Sequence, residues 1–141
     1  MKYLILENIR SAYNVGAIFR TADGSGVSKI FLIGYTPAPI DRFGRPQTEI
    51  KKTSLGASET IPWEHHQSTG SVLEQLRRDG FLIVSVELAE GSVPLHEFTV
   101  PEKVVYVLGN EVEGVFPKTL ELSDRVVHIP MLGRKESLNV S

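Results

Sequence analysis

The sequence predicts an α/β fold built on a parallel sheet, and three observations carry that expectation. Apolar runs at residues 3–6, 81–88 and 103–108 are close to continuous rather than alternating, as strands covered on both faces require. Between such runs lie segments whose apolar residues recur at helical spacing. The two patterns alternate along the chain, the order that lays helices on the faces of a sheet.

In chain order, Tyr3-Leu4-Ile5-Leu6 and Lys29-Ile30-Phe31-Leu32-Ile33 read as buried strands. Asn14 to Ala22 lies between them with Val15, Ile18, Phe19 and Ala22 on one helical face, Asn14 as its cap and Gly24 and Gly26 closing it. Residues 34–46 are rich in Gly and Pro and read as an ordered loop. Thr60 to Trp63 reads as a brief strand that Pro62 pushes toward a sheet edge. Ser71 to Arg78 forms an amphipathic helix through Val72, Leu73 and Leu76, ended by Asp79-Gly80. The strands Phe81–Leu88 and Lys103–Leu108, a short helix at Pro117–Leu122 and a strand at Arg125–Ile129 complete the pattern. No repeat or boundary divides residues 1–141, so a single domain is expected.

The composition excludes several classes. A hydrophobic content of 41% and a charged content of 23% describe an ordinary globular chain. No apolar run has transmembrane length and no basic-then-apolar leader opens the sequence. The absence of cysteine rules out disulfides and thiolate chemistry and fits a cytoplasmic protein. His65-His66 has no partner at metal-ligand spacing, so no metal is expected. Trp63 reads as a packing residue. A net charge of −2 argues against a general nucleic-acid binder, yet Arg10, Arg20, Lys29, Arg42, Arg45, Lys51 and Lys52 all fall between residues 10 and 52. A local basic face within an acidic whole follows.

Three segments could carry chemistry. In Glu7–Ala22, Asn14, Gly16 and Arg20 mark a loop passing into a helix, whose N-terminus attracts anions and whose arginine could hold a phosphate; an ordinary capped helix with a solvated arginine is the alternative. Gly109-Asn110-Glu111 follows an apolar strand directly, at the edge where open α/β sheets bind ligands, or else forms a turn with a solvated acid. In His128–Ser141, backbone around Ile129, Met131 and Leu138 could hold an adenine edge, or the segment is simply strand, loop and helix cap. Ser137 reads as an N-cap, yet the sequence stops about one turn later. Gly24-Ser25-Gly26 ends a helix and so is no dinucleotide fingerprint, and Ser137 lacks the setting of a hydrolase nucleophile.

Taken together, Asn14-x-Gly16-x-x-x-Arg20-Thr21-Ala22, Gly109-Asn110-Glu111-x-x-Gly114 and Ile129-Pro130-Met131…Ser137-Leu138-Asn139-Val140-Ser141 resemble the three motifs of the SpoU/TrmH family, SPOUT-class RNA ribose 2′-O-methyltransferases. Lys51 to Glu59 also looks like the family's segment between its first two motifs. The resemblance implies an α/β fold with a deep C-terminal trefoil knot, a homodimer, and S-adenosylmethionine bent within the knot. It assigns cofactor contacts to Leu108, Gly109, Asn110, Ile129, Met131, Ser137 and Leu138, with Leu88 contributing from the loop around it after the Phe81 strand. Arg20 matches the catalytic arginine, and Asn14, Glu111, Ser137 and Asn139 match the other active-site polar residues. RNA, either tRNA or rRNA, is the implied substrate, bound by Arg20 with the basic residues Arg10, Arg42, Arg45, Lys51 and Lys52. The family continues its third motif as a helix, so the sequence is read as ending before that helix. A non-catalytic RNA-binding scaffold that kept the fold is the competing expectation.

Overall fold

The computed structural model describes residues 1–87, 93–94 and 99–128. Their strands are β1 (Lys2–Glu7), β2 (Lys29–Ile33), β3 (Trp63–His66), β4 (Leu82–Val86), β5 (Val93–Pro94), β6 (Val104–Leu108) and β7 (Arg125–His128). The helices are α1 (Ala12–Gly24), α2 (Thr48–Ser54), α3 (Ala57–Thr60), α4 (Thr69–Arg78) and α5 (Pro117–Leu122). The strands form one sheet in the order β3-β2-β1-β6-β4-β7-β5, every pairing parallel. The predicted parallel α/β class is what the structure has. The expected knot and the segment from Ile129 to Ser141 fall outside the described residues.

Side chains alternate across β1 and β2 and so divide the core. Ile5, Phe31 and Ile33 pack with Val72, Leu73 and Leu76 of α4 on one face. Leu6, Ile30 and Leu32 pack with Val15, Ile18 and Phe19 of α1 and Ile50 of α2 on the other. α2 can lie this close to α1 only because position 16 is glycine. A Cβ there would stand 1.7 Å from Thr53 Oγ1 and 3.0 Å from the Ile50 carbonyl oxygen.

Some local expectations need correction. The cap of α1 is Ser11, not Asn14: Ser11 has extended backbone and its Oγ accepts the Asn14 N–H at 3.1 Å. Asn14 therefore lies inside the first turn. The edge strand begins at Trp63 rather than Thr60, because Thr60 ends α3 and the carbonyl of Pro62 accepts the Ile30 N–H to start the pairing. Pro62 thus sits at the strand's entrance, where its missing N–H costs no ladder bond. α2, capped by the Gln47 side chain, has no counterpart in the sequence reading, and neither does β5.

The centre of the sheet is fixed by a buried acid. Glu7, 0% exposed at the end of β1, accepts hydrogen bonds from Thr69 Oγ1 (2.5 Å), Thr119 Oγ1 (2.5 Å) and the Phe116 N–H (3.0 Å). Thr69 opens α4 and Phe116 caps α5, so both helices begin at one carboxylate. An unmet buried donor costs about 1–3 kcal/mol, and truncation also leaves a void. Glu7→Ala is expected to lower unfolding free energy by at least about 3 kcal/mol in urea denaturation.

Candidate active site

The site is built where β1, β2 and β6 end side by side. Beyond Glu7 the chain turns through Asn8, which takes the left-handed conformation (φ 49°) that asparagine tolerates better than most residues. Its Oδ1 accepts the Tyr35 N–H at 3.1 Å. That oxygen occupies the place of a Cβ at Gly34, only 2.0 Å from it, and Gly34 itself has φ 68°. Glycine is required there on both counts.

Asn110 ties β6 to this corner. Its Nδ2 donates to the Asn8 carbonyl and to the Tyr35 hydroxyl, each at 2.8 Å. Its Oδ1 accepts the N–H groups of Val112 (2.8 Å) and Glu113 (2.9 Å). With the Asn110–Gly114 backbone pair, these bonds close the turn after β6. The amide's donors and acceptor are all engaged, so what Asn110 offers a ligand is the shape of its turn. Gly109 likewise admits its own chain: a Cβ would lie 2.2 Å from the carbonyl carbon of Gly114 and from the Val115 nitrogen. Leu108 is half-buried against the α1 layer.

Glu111 joins this turn to the first motif. Its two carboxylate oxygens accept the N–H groups of Arg10 and Ser11, each at 3.2 Å, just ahead of α1. Ser11 in turn caps α1 at Asn14. Glu111 and Asn14 are thus brought together through Ser11, although they are far apart in sequence. Arg20 lies six residues further, about 9 Å along the helix axis, exposed and without a hydrogen bond or ion pair among the described residues. Ser137 and Asn139 lie outside the described residues.

The strands that lead into the candidate cofactor segments end side by side at a neighbouring stretch of the same edge. Val86 of β4 stands opposite Leu108 of β6 on one side and Val127 of β7 on the other. The segments carrying Leu88, Gly109 and Ile129 therefore leave from adjacent strand ends. Leu88, Ile129, Met131 and Leu138 themselves lie outside the described residues. Glu87 closes β4's end: its Oε2 accepts the Val115 N–H at 2.6 Å and sits 2.2 Å from where a Gly114 Cβ would be. Apolar strand ends beside a carboxylate are compatible with an adenosine, whose base is flat and whose ribose donates hydroxyls.

Arg10, Arg42, Lys51 and Lys52 are exposed and form no ion pair among the described residues, whereas Arg45 is paired with Asp41. Among the described residues no group of His, Asp and Glu could hold a metal ion. His65 and His66 face different partners, the Gly34 carbonyl and Glu64. Residues that the sequence reading passed over are Glu7, Asn8, Ser11, Tyr35 and Glu87. Asn8 carried a signal in asparagine's tolerance of positive φ; Tyr35 and Glu87 carried none, since their partners are distant in sequence.

A parallel α/β sheet with polar turns gathered at its carboxyl edge defines a protein whose ligand site lies at that edge. The chain belongs to the SpoU rRNA Methylase family, whose model matches residues 1–141. It is 34% identical over 138 residues to the 23S rRNA (guanosine-2′-O-)-methyltransferase RlmB of Neisseria meningitidis serogroup B, covering 98% of this chain and 52% of that protein. Among solved structures, the AdoMet-bound rRNA methyltransferase from Sinorhizobium meliloti superposes with a TM-score of 0.87 at 31% identity, over 99% of this chain and 51% of that one. The A. aeolicus TrmH/SpoU tRNA modifying enzyme superposes with a TM-score of 0.83 at 27% identity, covering 99% and 67%. The chain spans about half the length of the curated relatives it matches.

Asn110→Ala removes the hydrogen bonds that close the corner. At roughly 1 kcal/mol net for each of the four, the expected loss is about 4 kcal/mol, read from chemical denaturation, with a change in tyrosine near-UV circular dichroism as Tyr35 is released.

Proposed function

We propose that this chain transfers a methyl group from S-adenosylmethionine to a ribose 2′-hydroxyl of tRNA or rRNA. The strongest support is the Glu111 bridge, which sets the turn after β6 against the start of the helix carrying Asn14 and Arg20. Similarity to proteins named as rRNA methyltransferases, one of them AdoMet-bound, and to one named as a tRNA modifying enzyme agrees with it. The reading includes action in the cytoplasm as a homodimer, with residues 1–141 acting as a single domain with a C-terminal knot.

When bound, S-adenosylmethionine supplies a methyl group on a positively charged sulfur. The residues that would hold it are Leu108 and the Gly109–Gly114 turn, with Leu88, Ile129, Met131, Ser137 and Leu138 on the neighbouring segments. Arg20 binds an RNA phosphate and brings the 2′-hydroxyl into place. A neutral hydroxyl is a poor nucleophile, so its proton must leave as it attacks, and such help is worth about 10²–10⁴-fold in rate. Arginine is ordinarily always protonated, so Arg20 can take this proton only as a relay that passes one of its own protons to the bound phosphate, or else it only positions the phosphate and the hydroxyl. Glu111 acts through the helix: by holding the N–H groups of Arg10 and Ser11 it sets where α1 begins. Asn14, with Ser137 and Asn139, supplies polar contacts to the reacting ribose.

Incubation with bulk RNA and labelled cofactor, followed by mapping of 2′-O-methyl positions, tests the activity. Arg20→Ala should lower turnover by about 10²–10⁴-fold with cofactor affinity unchanged in calorimetry. Near-normal turnover of Arg20→Lys at saturating RNA would remove the proton-accepting role. Cofactor binding absent from the wild-type chain would favour the scaffold reading instead.

Phosphate contacts by Arg10, Arg42, Lys51 and Lys52 would release counterions on binding. For single-stranded RNA, the logarithm of the binding constant should then fall with the logarithm of salt at a slope of about −3. A flat dependence would exclude this surface.

A further inference from the structure

Among the described residues, Phe43 is the most exposed aromatic, 67% open, on the loop between β2 and α2. Burial would repay so large an apolar side chain, so its position outside the core calls for a physical reason. Mobility is not the reason, because the turn carrying it is tightly built. Ile40 and Pro46 form an antiparallel bridge at its base. Above the bridge, the Asp41 N–H donates to the Arg45 carbonyl at 2.9 Å, and the Gly44 N–H to the Asp41 carbonyl at 3.0 Å. Asp41 Oδ1 accepts the N–H groups of Phe43 (2.9 Å) and Arg45 (3.0 Å), while Oδ2 accepts Arg45 Nε at 3.1 Å. These bonds, the Arg45 N–H foremost, hold the Asp41 carboxyl below the usual carboxylate range, so the lock persists at neutral pH.

Two guanidiniums accompany the ring. Arg42 Cζ lies 4.9 Å from its centroid and Arg45 Cζ 5.0 Å. They differ in freedom: Arg45 is tied to Asp41, whereas Arg42 has no carboxylate partner among the described residues. A rigid ring, one fixed cation and one cation free to move together suit a partner that pairs a flat π-face with a negative charge. An unpaired nucleotide has both, whereas a duplex hides its base faces within the stack. The loop also starts at the site, since Tyr35, eight residues before Phe43, is hydrogen-bonded to Asn8 and Asn110.

We propose that Phe43, flanked by Arg42 and Arg45, is a stacking platform for an unpaired nucleobase of the bound RNA, with Arg42 moving onto the adjacent phosphate. The platform rests on the RNA reading above and adds to it a preference for single-stranded or looped RNA next to the modified position.

The test is fluorescence anisotropy with the full chain and a labelled single-stranded polyadenylate oligonucleotide, repeated with a duplex of equal length. Phe43→Ala should weaken single-strand binding about 5- to 100-fold, the range for a lost base–aromatic stack, while duplex binding stays unchanged. Phe43→Trp should bind as tightly or tighter, and Phe43→Leu, equally apolar but without a flat ring, should resemble Phe43→Ala. The salt slope should be unaltered in all three and should lessen by about 0.7 in Arg42→Ala. Full single-strand binding by Phe43→Ala or Phe43→Leu would overturn the platform while leaving methyl transfer standing. A wild-type chain that binds no RNA would overturn both.

Discussion

Glu7 ends β1, an inner strand of the sheet, with a carboxylate shut away from solvent, and the geometry on both sides of the sheet is referenced to it. A buried acceptor of this kind is tolerable only when donors surround it, and here they come from the first turns of α4 and α5. Those helices are thereby fixed at the carboxyl end of β1 on one face. The chain leaves the same residue through Asn8 to begin α1 on the other. The rim that carries the polar motifs is what remains between these anchored ends.

That rim separates holding from handling. Several of its most conspicuous polar residues hold backbone: Asn110 closes its own turn, Asn8 grips Tyr35, Glu111 gathers two N–H groups ahead of α1 and Glu87 braces Val115. The glycines among them are explained in the same way, since Gly34, Gly109 and Gly114 each abut a side-chain or backbone atom where a Cβ would go. Asn14 and Arg20 are different, because among the described residues their side chains carry no such bond. A framework whose polar groups are already satisfied can present a few unsatisfied ones at fixed positions, which is what preorganised chemistry needs.

The sheet was readable because continuous apolar runs have few other uses in a chain of this composition, and α1 because four core residues recur at its period. Its starting point was not readable. Ser11 and Asn14 are both cap formers, and the choice depends on Glu111, about a hundred residues away, which holds the N–H groups beside Ser11. α2 escaped notice because Ile50 is its one large apolar residue and glutamine is an uncommon cap. Asn14, Arg20, Gly109 and Glu111 stood out as members of motifs, yet the division of labour among them was invisible: spacing shows which residues recur, whereas hydrogen bonds show which are already spent. Tyr35 and Glu87 had no local signature because their partners arrive from other strands.

The parallel order of the sheet also governs how the chain can be made. Lys2 of β1 pairs opposite Val104 of β6, and the donors to Glu7 lie at Thr69, Phe116 and Thr119. A nascent chain emerging N-terminus first can pair β1 with β2 early, but it carries one bare edge of β1 and an incompletely satisfied carboxylate until β6 and α5 have been synthesised. Contacts so distant in sequence slow folding, and an open strand edge invites pairing with the wrong partner in the meantime. Production of this protein therefore exposes it to misassembly beside β1 until β6 and α5 arrive to seal it.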